Sequence, residues 1–349
     1  MASAKRPVAL ATVGSSTQPI LAVRGLTKYF SVGGLPRPRH LHALEDASFD
    51  LVAHQIVALV GESGSGKSTT ARLIARVFPA TRGKILFQGK DVLRSERRRA
   101  SLSYRGNIQM ILQDPFSSLN PVHTISYHLT QPLVIHKKAR GRHELGNRVH
   151  DLLDAVGLPG TADFAQRYPH QLSGGQRQRV AIARALAVDP LVILADEPIS
   201  MLDVSIRMSV LNLLARLKEE RGISYLYITH DIASARYISD RTLVMYAGHM
   251  VEGAESDDLI GVPAHPYTRL LLAAVPNPRE RAARSSPGTR GDVPPLIDPP
   301  PGCPFAARCP HVMAICRQAM PGRERLDPNH WVRCHLYGPG SDTHEIANE

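Results

Sequence analysis

Eight consecutive residues, Gly61-Glu62-Ser63-Gly64-Ser65-Gly66-Lys67-Ser68, constrain this chain more than any other stretch. They match the spacing G-x-x-x-x-G-K-[ST], follow an apolar run at residues 55–60 and open a helical pattern over 68–77. Strand, glycine-rich turn and helix in that order make a phosphate cradle. Gly61, Gly64 and Gly66 let the backbone turn so that its N–H groups converge on phosphate oxygens. The helix N-terminus adds positive potential. Lys67 is placed to neutralise β- and γ-phosphates and Ser68 to ligate Mg²⁺, with Thr69 next in the nucleotide-binding set.

The remaining pattern says what carries this loop. Apolar runs at 107–112, 191–195, 224–229 and 241–246 read, like 55–60, as strands buried on both faces. Helical patterns at 143–156, 176–186 and 205–220 lie between them. Strands alternating with helices predict an α/β fold around a mostly parallel sheet. A further strand opens at Leu21-Ala22-Val23, after a loose tail over 1–20. Residues 276–302 turn rich in Pro, Arg, Gly and Ser, include Pro299-Pro300-Pro301, and read as an extended linker. A small Cys-bearing module follows, then a polar tail from Gly338.

A chain of 349 residues fits one large and one small domain. Its formal charge of +11 suits nucleotide, anionic lipid or nucleic acid. No Lys/Arg run is long enough for a dedicated arm, and Arg97-Arg98-Arg99 is expected on a helix face. No stretch approaches the roughly 18–20 apolar residues that span a bilayer. Lys5 and Arg6 are not followed by the apolar region of a secretory signal. The expectation is a soluble, cytoplasmic protein whose membrane role comes through a partner.

Two further segments carry chemistry. The run 191–195 ends in Asp196-Glu197, and a carboxylate at the end of a buried parallel strand lies beside the phosphate loop. Asp196 suits Mg²⁺ and its water shell. Glu197 suits a general base for an attacking water. Leu172-Ser173-Gly174-Gly175-Gln176 then precedes a helix, with Ser173 as its N-cap. This second anion-binding helix start has no lysine. A head-to-tail pair of chains would sandwich a nucleotide between the loop of one and this helix of the other.

Taken in order, these segments resemble the nucleotide-binding subunits of ATP-binding-cassette (ABC) transporters. GESGSGKS is the Walker A loop, Gln113 sits in a Q-loop (ILQDP), and LSGGQ is the signature. LADEP is Walker B, Met201-Leu202-Asp203 the D-loop and His230 the switch histidine. The resemblance covers about residues 21–255. It implies a RecA-like core with a helical subdomain at about 114–185, within an ATP-binding domain at 21–260. It also implies a dimer, of identical or homologous ATPases, that closes on two ATP molecules. By position, Gln113 touches Mg²⁺ or the attacking water, and His230 contacts the γ-phosphate. Phe30, with Tyr29 as the neighbouring alternative, stacks on adenine, and Asp203 crosses the dimer contact. The D-loop departs from Ser-Ala-Leu-Asp in carrying Met201, a bulkier, flexible side chain that removes no catalytic group.

Cys303, Cys309, Cys316 and Cys334 are the chain's four cysteines, spaced C-x5-C-x6-C-x17-C. Disulfides fit poorly with a cytoplasmic protein. Four thiolates suit zinc, but these gaps exceed the usual knuckle spacing. An iron–sulfur cubane takes four thiolates too; four metal-free buried cysteines are the remaining reading. Asp298 to Cys303, Arg308-Cys309-Pro310 and His265-Pro266-Tyr267-Thr268 resemble the C-terminal extension of oligopeptide, dipeptide and nickel importers, here at 261–349. Some of that family hold a [4Fe–4S] cluster on these cysteines. The resemblance implies an ATPase of a peptide importer, with nickel or another small solute as the alternative cargo. It further implies two transmembrane permeases, a substrate-binding protein acting indirectly, and a place on the cytoplasmic face of the membrane. A soluble cassette ATPase is the rival; no nucleic-acid partner is implied.

Overall fold

The computed structural model describes residues 18–33, 39–97, 99–274 and 296–338. The tail over 1–17, most of the expected linker (275–295) and the end from 339 lie outside the described residues. Five strands run parallel: Ile108–Ile111, Val192–Asp196, Ser224–Thr229, Ile56–Val60 and Arg241–Tyr246, in that spatial order. Ile56–Val60, Val192–Asp196 and Ser224–Thr229 are buried at every residue. Layers cover both faces of such a sheet, so its strands are apolar runs without alternation. The helices Lys67–Ile74, Gly141–Ala155, Gly174–Leu186 and Val204–Arg221 fall within three residues of the helical patterns in the sequence.

One face of the sheet packs against helices, with Val180, Leu186, Leu214 and Tyr227 in the core. The other meets a separate antiparallel sheet in the order Arg39–Leu51, Leu21–Val32, Arg82–Phe87, Lys90–Asp91. Leu21, Leu44 and Phe49 of that sheet bury against Leu59 and Leu226. Only the start of Leu21–Val32 is legible in sequence. Its pairing with Arg39–Leu51 shifts register after Val23, Leu26 and Lys28, so no single two-residue period survives along it. The arginine cluster departs from expectation: the helix Val92–Ser95 ends before Arg97, Arg99 lies in a bend, and Arg98 is outside the described residues.

Between Gln113 and the signature, the chain is helical: Pro115–Ser118, Ile125–Ile135, Gly141–Ala155 and Ala162–Ala165. Thr124 and Thr161 cap two of these by accepting from the N–H of Tyr127 and Phe164. After the helix Pro266–Ala273 the chain returns to the cassette. Trp331–Val332 pairs with His249–Glu255, extending the main sheet, and Glu324–Arg325 adds its edge. Glu252, fully buried, accepts from the N–H groups of Ala264 (2.7 Å) and His265 (2.9 Å) and pairs with His330 Nε2 at 2.7 Å.

Burial pushes His249 and His265 down to about 4. Between about pH 6.5 and 4 the unfolded chain therefore binds protons that the folded chain refuses. Each histidine contributes stability that is present at neutral pH and lost as pH falls through that window. His330 has the opposite sign. Burial alone would lower it, but the hydrogen bond and charge of Glu252 raise it, so its contribution fades as pH rises. Urea unfolding followed from about pH 7 to 5 should show a loss of up to about 1.4 kcal/mol per pH unit for each of His249 and His265. His249→Gln should flatten that slope.

Candidate nucleotide site

The strand Ile56–Val60 delivers the chain to Gly61, whose positive φ and neighbours require glycine. A Cβ there would stand 2.1 Å from the Met245 carbonyl oxygen. Gly66 has φ 101°, and its Cβ would meet the Ala43 carbonyl at 2.6 Å. Lys67, 4% exposed, donates to the carbonyls of Gly61 (2.7 Å) and Glu62 (2.8 Å) and to Ser65 Oγ (3.3 Å). Burial lowers its ammonium, and the charges of Glu197, Asp196 and Glu62 oppose that shift. A cation is thus held inside the loop by oxygens, ready for anionic oxygens.

The parallel strands end together beside this loop. Ser68 Oγ donates to Asp196 Oδ1 at 2.8 Å. Asp196 is raised by burial, with the Ser68 hydrogen bond pulling the other way. Hydroxyl and carboxylate oxygens side by side are the ligand type Mg²⁺ takes, so this pair fits the ion. Glu197 follows with φ 47°, a left-handed backbone costing about 1–3 kcal/mol outside glycine. Its N–H donates to the Ile228 carbonyl at 2.9 Å, tying it to the next strand. The carboxylate accepts from Gln113 Nε2 at 3.0 Å and lies 3.3 Å from His230 Nδ1. Three strand ends thereby converge Gln113, Glu197 and His230 on one point.

Ser173 Oγ accepts from the Gln176 N–H, and Gln176 Oε1 accepts from the Ser173 N–H, a reciprocal capping box. Gly175 is buried, and a Cβ there would press on Ile206 at 2.7 Å; the small residue lets Gly174–Leu186 pack on Val204–Arg221. Asp203, exposed, starts the latter helix, and Met201 is 58% exposed. No hydrogen bond among the described residues joins residues 173–176 to the phosphate loop of the same chain. Tyr29 stacks on His42 at 4.0 Å and donates to Glu45 at 2.5 Å, its hydroxyl pushed by burial up to about 12. Phe30 meets Phe78 edge-on and lies under the Lys28 ammonium.

Two contacts on the loop come from far along the chain. Tyr267 Oη accepts from the Glu62 N–H at 2.9 Å. Arg308 grips the Glu62 carboxylate through both terminal nitrogens, at 2.9 and 3.1 Å, with its own side chain only 11% exposed. Tyr246, Tyr267 and Phe305 pack as an aromatic cluster around the pair. The extension therefore holds the phosphate loop from behind. The motif His265-Pro266-Tyr267-Thr268 was a hint to one of these residues, but nothing local marks Arg308. Arg308→Ala should cost about 1–3 kcal/mol and raise the ATP concentration at half-maximal turnover several-fold, whereas Arg308→Lys should restore charge without the two-point grip. ATPase titrations and thermal melts of both variants check this.

All four cysteines line one small cavity with His265 and Phe305. The Cys303 N–H donates to the Cys316 carbonyl at 2.7 Å, and Gly302, at φ 101°, lets the two strands of chain meet. Burial pushes the Cys303 thiol up to about 11 and Cys334 up to about 12, favouring protonated sulfur. Among the described residues, no group of three or more His, Cys, Asp or Glu is placed to hold a metal ion. The expectation of a [4Fe–4S] cluster on Cys303, Cys309, Cys316 and Cys334 is thus not supported by this arrangement.

The chain is 43% identical over 328 residues to the oligopeptide transport ATP-binding protein AppF of Bacillus subtilis, covering 93% of this chain and 99% of that one. It belongs to the oligopeptide-type ABC ATP-binding family. The ABC transporter profile matches residues 44–200 of this ABC ATPase, and the profile of the oligopeptide/dipeptide transporter C-terminal region matches 251–316. OppF of Bacillus subtilis, an oligopeptide transport ATP-binding protein, is 48% identical over 262 residues, 75% of this chain and 84% of that one. Among solved structures, a dimeric ATP-binding cassette in a post-hydrolysis state bound to ADP and Pi superposes with a TM-score of 0.58 at 30% identity, covering 68% of this ABC ATPase and 98% of that chain. CbiO1 from Clostridium perfringens, part of the CbiONQ transporter complex, superposes with a TM-score of 0.60 at 27% identity, covering 70% and 91%. No helix among the described residues is long and apolar enough to cross a membrane.

Proposed function

We propose that this ABC ATPase energises import of di- or oligopeptides by hydrolysing ATP at the cytoplasmic face of a membrane, through two permease subunits. The observation that carries the chemistry is the convergence of Gln113, Glu197 and His230 beside the loop that holds Lys67. The cargo class rests on the match to the oligopeptide/dipeptide C-terminal region and on the relatives' names.

In this reading the loop from Gly61 to Thr69, with Glu62, Ser63, Gly64, Ser65 and Gly66, wraps the phosphates, and Lys67 meets the β- and γ-phosphoryl oxygens. Ser68, Asp196 and Gln113 would hold Mg²⁺, which would supply neutralisation of the phosphate charge. Glu197 takes the proton of the attacking water, which Gln113 and His230 orient. Phe30 takes the adenine, because the ring face of Tyr29 already stacks on His42. Residues 173–176 and Asp203 of a second ATPase, identical or homologous, complete the site, since among the described residues no hydrogen bond joins 173–176 to the loop of the same chain. Tyr127, Val134 and Ile135 leave an exposed apolar face on Ile125–Ile135 that suits a permease. The domains of the proposal are residues 21–260 for ATP and 261–349 for the extension, with a binding protein delivering cargo to the permeases.

The test is reconstitution with a pair of oligopeptide-type permease subunits and a peptide-binding protein. ATP-dependent uptake of a labelled tripeptide is the expected result. Uptake of nickel with none of peptide would overturn the cargo, and ATPase activity indifferent to the permeases would favour a free-standing cassette. A thiolate-held [4Fe–4S] cluster stays part of the proposal only through the meeting of four thiols at one cavity. Anaerobically purified protein without iron or visible thiolate–iron absorbance removes it.

A further inference from the structure

A cavity of ≈ 480 Å³ opens between the antiparallel sheet, the main sheet and the C-terminal hairpin of Glu324–Arg325 and Trp331–Val332. Arg24, Arg241, Arg323 and Arg325 line it, and Asp50 is the single acidic residue of its wall. Arg24 already takes Asp50, at 2.6 Å. Arg241 donates to the Asn329 carbonyl, yet its Nε is buried without a partner. Arg323 lies over the Trp331 ring, 3.8 Å from its centroid. No salt bridge among the described residues includes Arg323 or Arg325. Arg323 is exposed overall; partial desolvation and the like charges of Arg333, Arg241 and Arg325 bring it down to about 10, against the opposing charge of Asp50.

Three guanidinium groups thus line a shared space whose one carboxylate, Asp50, is already engaged by Arg24, so their mutual repulsion falls when an anion enters. Guanidinium forks match phosphoryl oxygens two at a time, and the volume suits a small molecule. The place is separate from the ATP loop. Val57 and Arg241, paired across neighbouring strands, put the cavity at the N-terminal ends of the parallel strands, whereas the phosphate loop follows Val60 at their C-terminal ends.

We propose that this cavity binds a small phosphorylated polyanion, held by Arg241, Arg323 and Arg325 across the joint between cassette and extension. Trp331 is the only tryptophan in the chain, so its emission reports on this cavity alone. The full chain carrying Lys67→Ala, which weakens the phosphate loop, is titrated with pyrophosphate and tripolyphosphate at low ionic strength. Equilibrium dialysis with labelled pyrophosphate runs in parallel. The expected result is saturable binding by both readouts, weakened at least about tenfold in Arg323→Gln/Arg325→Gln. Because Arg325 is exposed, Arg325→Gln alone, with unchanged circular dichroism, serves where the double variant does not fold. No saturable binding, equal affinity in the arginine variants, equal response to citrate, or response only to phosphatidylglycerol vesicles would each overturn the proposal.

Discussion

Glu197→Gln is expected to lower ATP turnover by about 10²–10⁴-fold while ATP still binds. The carboxylate sits at the end of a fully buried strand, within 3.3 Å of both Gln113 and His230. Glutamine keeps the shape and the hydrogen bond to one neighbour but cannot take a proton from water. The left-handed backbone at Glu197 holds the side chain on the phosphate side at a cost in conformational strain, and glutamine inherits that backbone. The variant should therefore accumulate as an ATP-loaded dimer. Single-turnover hydrolysis, nucleotide binding and light scattering together check the expectation. Turnover of the same order as wild type would remove Glu197 from the role of base.

Gly61→Ala should abolish nucleotide binding and destabilise the protein. Its Cβ would be 2.1 Å from the Met245 carbonyl and 2.9 Å from Ser65 Oγ. The first of these atoms belongs to the backbone of the neighbouring strand Arg241–Tyr246 and has no rotamer in which to retreat. Relief requires the whole loop to lift, which takes Lys67 off the Gly61 and Glu62 carbonyls. Overpacking of this kind costs about 1–3 kcal/mol or more. Gly64→Ala is the internal control. It shares a positive φ of 78°, but nothing stands within 4 Å of its Cβ. Only the left-handed penalty of about 1–2 kcal/mol remains there. Urea midpoints and ATP binding of the two variants should diverge; identical behaviour would sink the steric account.

The phosphate loop, the acidic strand end and the signature cap were legible because each is a contiguous run whose chemistry is local. The buried strands were legible too, since a strand covered on both faces is a continuous apolar run, as in Ser224–Thr229. What escaped reading depends on residues far apart in sequence. Arg308 and Glu62 are 246 positions apart, and neither carries a pattern that names the other. Trp331 meets Gly253 because glycine leaves room for an indole, which no period reveals. The strand Leu21–Val32 hid behind its register shifts. The four cysteines line one cavity, but spacing alone does not say whether the thiols are close enough to share an ion.

The pairing of Trp331–Val332 with His249–Glu255 bears on how small a working cassette this chain can yield. A protein ending at Gly261 would retain every ATP motif. It would also leave one side of His249–Glu255 open, an edge where Glu252 and Gly253 now pair with Val332 and Trp331. Glu252 would lose His330 and the N–H groups of Ala264 and His265 together, leaving a stranded acid in an apolar wall. Such a fragment is a template for strand-to-strand aggregation. Solubility of the truncated cassette, not its catalytic motifs, would set the limit.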